Sequence, residues 1–258
     1  MRAAVLEDPV SRAAVWSGRI AWFALVVAAI GVVLARFGRV EPAQAVGVLG
    51  ASFLVALIAI GVAIFGLVVI WNEGFRGAGR AFGAIGLAGA LLLAPAWFAL
   101  KAATLPDISD VSTDLADPPA FSRSRVSLEA RGGRVRSLPD ADARAKQRRS
   151  YGGLAPATLE RTPDEAFAIA RDAARNLGWR IIEANPPAAR SGVATIEAID
   201  YSLVLRFPDD VTIRVRPLAN GSRIDARSAS RFGSHDFGAN ARRIQRYLQE
   251  VASINEAK

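Results

Sequence analysis

Five arginines near the C-terminal end of the chain are the residues best suited to bind an anion. They are Arg214, Arg216, Arg223, Arg227 and Arg231. Asn220 and Gly221 predict a two-residue type I′ hairpin turn, because both positions favour positive φ. With that turn, Arg216 lies opposite Asp225, and Arg214 lies opposite Arg227. Strand alternation then places the arginines on one face and an apolar set on the other: Val211, Ile213, Val215, Ile224 and Ala226.

Unless the register itself is different, two roles would explain like charges directly opposite one another, which otherwise destabilise a sheet. The arginines could hold an external phosphate or carboxylate, since a guanidinium fork binds such groups with two hydrogen bonds. Alternatively, internal polar groups could thread between them and form a network. The candidates for that network are Asp209, Asp210, Asp225, Asp236 and Asn240, together with Glu197.

A hydrolytic site is the alternative chemistry in this part of the chain. Ser228 and Ser230 precede His235 and Asp236, which could serve as a base and its orienting group. Their spacing matches no nucleophile elbow, and such a set arises easily by chance in a short segment. We therefore predict no catalytic residue and favour a function that is not enzymatic.

Composition narrows the chemistry further. The chain has no Cys and one His, which excludes thiolate zinc sites, cysteine nucleophiles and multi-histidine metal sites. We expect no metal and no cofactor. The net charge of +8 favours anionic partners such as lipid headgroups.

The arginines belong to a predicted α+β domain. Thr162, Pro163 and Glu165 form a capping box that begins a helix, which Gly178 ends. Strands are predicted at 179–184, 193–199, 203–207, 211–217 and from Ser222 to about Arg231, and Asp236 is expected to cap a final helix. Residues 121–160 are rich in Arg with little periodicity, and we interpret them as an extended linker.

Three apolar runs precede this domain and predict membrane-spanning helices at about 15–37, 46–71 and 81–100. The alternative for the first run is a cleaved signal peptide, because Arg2, Arg12 and Arg19 precede it. Residues 1–104 are therefore expected to form a membrane anchor, and residues 105–258 a soluble domain. The distribution of Lys and Arg favours an N-terminus inside the cell and a domain outside the cytoplasm.

Two stretches resemble a known family. The segments DISDVSTDLADPPAF (107–121) and FPDDVTIRVRPLANGSRIDARSASRFGSHDFGANARRI (207–244) are similar to the uncharacterised bacterial membrane family called domain of unknown function fourteen ninety-nine. The resemblance implies that the first segment belongs to the folded domain, which would then begin near Pro106. It implies no activity, substrate or catalytic residue.

These observations predict three transmembrane helices followed by an α+β domain, with an antiparallel sheet flanked by two helices. We expect a membrane-tethered accessory or binding module of the bacterial cell envelope, in the inner membrane with its domain in the periplasm. Its partners would be the bilayer and an anionic lipid or an envelope protein. A structural subunit of an envelope complex is a further alternative, and nucleic acid is not expected as a partner.

Overall fold

The computed structural model describes residues 9–257 of the chain. The chain divides near Leu100 into two compact units, a helical unit and a sheet domain. The helical unit contains α1 (Arg12–Arg36), α2 (Pro42–Glu73) and α3 (Ala78–Thr104). All three helices are long and apolar enough to cross a membrane.

Each of these helices begins three or four residues before its predicted start. For α2 the reason is local, because Glu41 and Gln44 form a capping box that begins the helix in polar residues. Its other end is closed by Gly74, whose φ of 72° is in the left-handed region that favours glycine.

Small residues bring α1 and α2 together. The residues that α1 buries are Ala14, Ser17, Ala21, Ala24, Ala28, Gly31 and Ala35. A methyl group added at Gly66 of α2 would lie 2.9 Å from the backbone nitrogen of Ala14, so no larger residue fits at this contact. Close backbone approach of this kind is the usual way in which membrane helices associate.

The sheet domain is built on one antiparallel sheet. Its strands are β1 (Asp110–Ser112), β2 (Ala157–Leu159), β3 (Arg180–Asn185), β4 (Ala194–Tyr201), β5 (Pro208–Leu218) and β6 (Gly221–Ser230). The spatial order is β1-β6-β5-β4-β3, and β2 also pairs with β6. Helices α6 (Pro163–Asn176) and α7 (Ala239–Ala257) pack on one face of the sheet.

The apolar core lies between the sheet and these two helices. The five residues predicted for the apolar face are all buried there. Thr162 and Glu165 form the predicted capping box of α6. Asp236 accepts hydrogen bonds from the backbone N–H groups of Gly238 and Asn240 and so caps the start of α7 as expected.

The predicted hairpin register was wrong. The turn residues are Ala219 and Asn220, and Gly221 is the first residue of β6. Arg216 therefore faces Arg223, Arg214 faces Asp225, and Thr212 faces Arg227. The pairing shifts by two residues, an even number, so every side chain stays on its predicted face. Gly221 has a φ of 130°, and a Cβ there would collide with the Leu159 carbonyl of β2.

Two further segments differ from the sequence-based expectation. The predicted strand at 203–207 is a turn, and β4 ends before it at Tyr201. The predicted linker at 121–160 contains two helices, α4 (Arg125–Ala130) and α5 (Ala141–Ser150), as well as strand β2. Ser124 and Asp140 cap the two helices through their side chains.

Candidate functional site: the polar face of the sheet

The face of the sheet opposite α6 and α7 carries a continuous polar surface, which we call the polar face. Residues paired directly across neighbouring strands lie on the same face of a sheet. Thr212 of β5 pairs with Glu197 of β4 and with Arg227 of β6, so these three residues form a row across the polar face. Arg214, Arg216, Arg223 and Asp225 lie beside this row. Residues 113–137, which we call the cover segment, pass over the polar face and supply most of its partners.

Asp225 is the central acceptor of the cluster formed by Arg214, Arg216 and Arg223. Its side chain is fully buried. The guanidinium nitrogens of the three arginines lie 3.2, 2.9 and 2.8 Å from its carboxylate oxygens. Charge-assisted hydrogen bonds from the three arginines therefore satisfy the buried carboxylate from several directions.

The cover segment adds two more carboxylates to this cluster. Asp114 lies 2.6 Å from Arg223 and 3.2 Å from Arg216. Burial raises the pKa of Asp114, but hydrogen bonds from the backbone N–H groups of residues 117 and 116, together with the charge of Arg223, outweigh this and lower it. Asp117 lies 3.0 Å from Arg214 and 2.9 Å from Arg216, and its side chain remains 64% exposed.

Arg227 is the most deeply buried arginine of the five, with a fully buried side chain. It donates two hydrogen bonds to Asp110 of β1, at 2.9 and 2.7 Å, in the bidentate arrangement of a guanidinium fork. It also donates to the carbonyl oxygens of Pro119 and Ser137, and it stacks on the Phe121 ring at 4.8 Å. Arg227 therefore fixes the cover segment to the sheet at several points.

Arg231 lies at the end of β6 and pairs with Asp210, 2.7 Å away. Arg136 of the cover segment approaches the second oxygen of the same carboxylate at 3.2 Å. Every one of the five predicted arginines thus pairs with a carboxylate of this chain. Anion binding by this face stays a prediction, and any external anion would have to compete with these internal partners.

Two glutamates extend the polar face beyond the arginines. Burial raises the pKa of Glu197 to about 7, although Ser122 and Arg131 donate hydrogen bonds to its carboxylate. Glu183 of β3 accepts hydrogen bonds from the hydroxyls of Ser122, Ser124 and Ser127, which lower its pKa.

Two other network candidates, Asp209 and Asn240, lie between the opposite face of the sheet and α7. Asp209 pairs with Arg243 of α7 at 2.6 Å. The amide oxygen of Asn240 accepts hydrogen bonds from Arg243 and from the hydroxyl of Ser228, and its NH₂ group donates to Ser230. These contacts form a second buried polar network that ties α7 to the sheet.

The residues of the hydrolytic alternative have structural partners instead. His235 accepts a hydrogen bond from the Phe237 N–H through Nδ1, and both oxygens of Asp236 accept backbone N–H groups. Ser228 and Ser230 belong to the Asn240 network. Among the described residues, no group of three or more His, Cys, Asp and Glu side chains could hold a metal ion.

The acidic partners Asp110, Asp114 and Asp117 were not among the predicted site residues. Their signal in the sequence is the repeated aspartate of residues 107–117, which the family resemblance assigned to the folded domain without a role. With Asp225, they supply four carboxylates for four arginines: Arg214, Arg216, Arg223 and Arg227. The cluster is therefore balanced in formal charge.

Comparison with known proteins gives one family and no relative of known activity. No curated protein and no solved structure matches the chain. The model of a family described as protein of unknown function (DUF1499) matches residues 110–251, from the first residue of β1 into α7. Since this match covers the sheet domain and more than half of the chain, the protein belongs to the DUF1499 family of unknown function.

Proposed function

We propose that the chain is a membrane-tethered binding module of the cell envelope and that it is not an enzyme. Three helices of 25, 32 and 27 residues carry this proposal, because about 20 residues suffice to cross a bilayer. Their large apolar side chains point outward, including Trp22 at 61%, Leu54 at 63% and Leu93 at 70% exposure. Such surfaces are costly in water and favourable in hydrocarbon.

The orientation follows from the distribution of charge around the helices. Arg12, Arg19, Arg76 and Arg80 lie at one end, whereas Arg36, Arg39 and Lys101 lie at the other. The larger positive group favours the cytoplasmic side. The sheet domain would then lie on the periplasmic side of a bacterial inner membrane.

For the binding function, we place an anion site at the exposed margin of the polar face. Arg214 and Arg216 keep 15% and 28% of their side-chain surface, and their partner Asp117 is largely exposed. An anionic lipid headgroup or a partner carboxylate could replace Asp117 there with little desolvation cost, since exposed ion pairs are weak. Arg227 is fully buried, and the carboxylate that pairs with Arg231, Asp210, is itself buried, so neither arginine has an exposed acidic partner that an external anion could replace.

A reporter fused to the C-terminus, active only outside the cytoplasm, tests the proposed location. Activity is expected in the fusion to the full chain, and a reporter that works only in the cytoplasm would refute the periplasmic orientation. Anion binding is tested separately by calorimetry with glycerol phosphate, using the full chain in discs of neutral lipid.

In that calorimetric test, D117N should bind glycerol phosphate several-fold more tightly, because it removes the competing carboxylate. The double variant R214Q/R216Q should lose binding. The matched control is R125Q, whose side chain is 90% exposed on α4 and pairs with Glu129. Equal affinities for all these proteins would refute the anion site and leave the membrane location untouched.

A structural subunit of an envelope complex is the second candidate. One observation favours it: Cβ atoms added at Gly79 and Gly86 of α3 would meet no atom within 4 Å, so this helix offers a small-residue surface to another helix. The double variant G79L/G86L should then lose partners that co-purify with the wild type in mild detergent. Unchanged co-purification would remove this candidate.

A further inference from the structure

A groove runs between α1 and α3 in the helical unit. The space along it, which is open on its outer side, has a volume of about 840 Å³. The residues that define it are Gly18, Arg19 and Trp22 of α1 with Arg80, Gly83 and Leu87 of α3. The stretch from Arg80 to Leu87 extends for about 11 Å along the helix, at 1.5 Å per residue.

The lining is of two kinds. Most of the groove is apolar, and its two glycines keep it open, since a Cβ at Gly18 or Gly83 would meet no atom within 4 Å. The polar part consists of Arg19 and Arg80, which form no ion pair with any residue in the described range 9–257. Arg19 lies over the Trp16 ring at 5.1 Å.

Arg19 of α1 and Arg80 of α3 place two guanidinium groups beside this apolar groove. A charged side chain within a span is costly unless it reaches the headgroups or an anionic partner. Both arginines lie toward the helix ends that the charge distribution assigns to the cytoplasm. The cytoplasmic leaflet contains the acidic phospholipids, and basic pockets between spans on that side bind their headgroups.

From this arrangement we infer that the groove binds one acidic phospholipid. Its phosphate lies between Arg19 and Arg80, and one acyl chain lies along Gly18, Gly83, Trp22 and Leu87. Bidentate guanidinium contacts select the phosphate, and the open glycine positions admit the chain. This inference rests on the membrane crossing proposed above, but it is independent of the anion site on the sheet domain.

Trp22 provides a probe inside the groove. The full chain is reconstituted in vesicles of neutral phosphatidylcholine with a minor fraction of brominated phosphatidylglycerol, whose bromines quench tryptophan fluorescence on contact. Subtracting the signal of the W22F variant isolates Trp22. Brominated phosphatidylcholine at the same fraction is the reference. We expect brominated phosphatidylglycerol to quench Trp22 as strongly as an about fivefold or higher fraction of that reference lipid would.

Two variants separate headgroup recognition from chain binding. R19Q/R80Q should lose the preference for acidic lipid, and R12Q/R39Q is its control because it removes the same charge outside the groove. G83L should fill the groove without changing charge, and G89L is its control, since Gly89 also has open space but does not line the groove.

Equal quenching of Trp22 by the two brominated lipids, or a preference that survives both R19Q/R80Q and G83L, would overturn the inference. Failure of the membrane crossing would look different, because no brominated lipid would then quench the other tryptophans of the helical unit. The two failures are therefore distinguishable within one experiment.

Discussion

The helical unit and the sheet domain place opposite kinds of residue inside. In the helical unit the buried positions are mainly Ala, Gly and Ser, and large apolar residues such as Trp71, at 89% exposure, face outward. In the sheet domain, by contrast, large apolar residues are buried, and so is the charged Arg227. The difference is the one expected if the helical unit lies in a bilayer as proposed, because hydrocarbon does not drive apolar side chains inward, whereas water does.

The two units also differ in whether their arginines are paired with carboxylates. The sheet domain buries arginines and carboxylates together and satisfies them with one another. In the helical unit, the groove arginines form no such pair within residues 9–257. Buried ion pairs add little net stability over apolar packing, but breaking one is costly. The variants below test the interior of the two units, from the largest expected effect to the smallest.

Removing Arg227 should have the largest effect. R227M leaves Asp110 and two carbonyl oxygens without a donor, so we expect a loss of about 3–5 kcal/mol in the free energy of unfolding. Amide hydrogen exchange of β5 and β6 in the full chain measures it. Adding D110L should recover part of the loss, because it removes the unpaired carboxylate. R125M, at an exposed position, is the control.

Glu197 should make the sheet domain sensitive to pH. Its pKa is about 7 in the fold, against 4.5 ordinarily, so the folded state holds a proton that the unfolded state releases between these values. Stability from this group is therefore present below pH 4.5 and is lost as pH rises to about 7. The total loss is up to about 3 kcal/mol.

The glutamine of E197Q does not titrate, so the variant does not lose this stability as the pH rises. Relative to the wild type, the free energy of unfolding of E197Q should therefore increase between pH 4.5 and about 7. The comparison cancels the contributions of the other carboxylates. E129Q, which alters an exposed pair, should show no such shift. A difference between wild type and E197Q that stays constant with pH would contradict the raised pKa.

Gly66 tests the packing of the helical unit. G66L places a side chain against the backbone of Ala14, and overpacking of this kind costs about 1–3 kcal/mol. We expect a lower midpoint in thermal unfolding of the detergent-solubilised chain, followed by circular dichroism. A Cβ added at Gly61 of the same helix would meet no atom within 4 Å, so G61L should not lower the midpoint.

Local patterns in the sequence were enough to predict much of the fold. The three long helices, the cap at Thr162 and the division of β5 and β6 into two faces each depend on residues close in the chain. The register was predicted wrongly because the glycine at 221 is needed where β2 packs closely against the backbone, not in the turn. That contact is with Leu159, which is remote in sequence.

The site was harder to predict for the same reason. The arginines lie on one face of the sheet, and Asp225 and Asp210 are near them in the chain, but the aspartates Asp110, Asp114 and Asp117 come from a segment about 100 residues earlier. Aspartates in a segment with turns resemble any solvated loop. Only the folded cover segment brings Asp114 and Asp117 to the arginines, and periodicity contains no information on such a crossing.

Asp117 should have the smallest effect on stability. Its side chain is 64% exposed, and ion pairs in that setting contribute about 0–1 kcal/mol and are screened by salt. D117N should therefore leave the unfolding free energy nearly unchanged, whereas D225N, at the fully buried centre of the same cluster, should be strongly destabilising. Hydrogen exchange on both variants measures the contrast. If D117N proved as costly as D225N, the margin of the cluster would be structural, and Asp117 could not give way to an external anion.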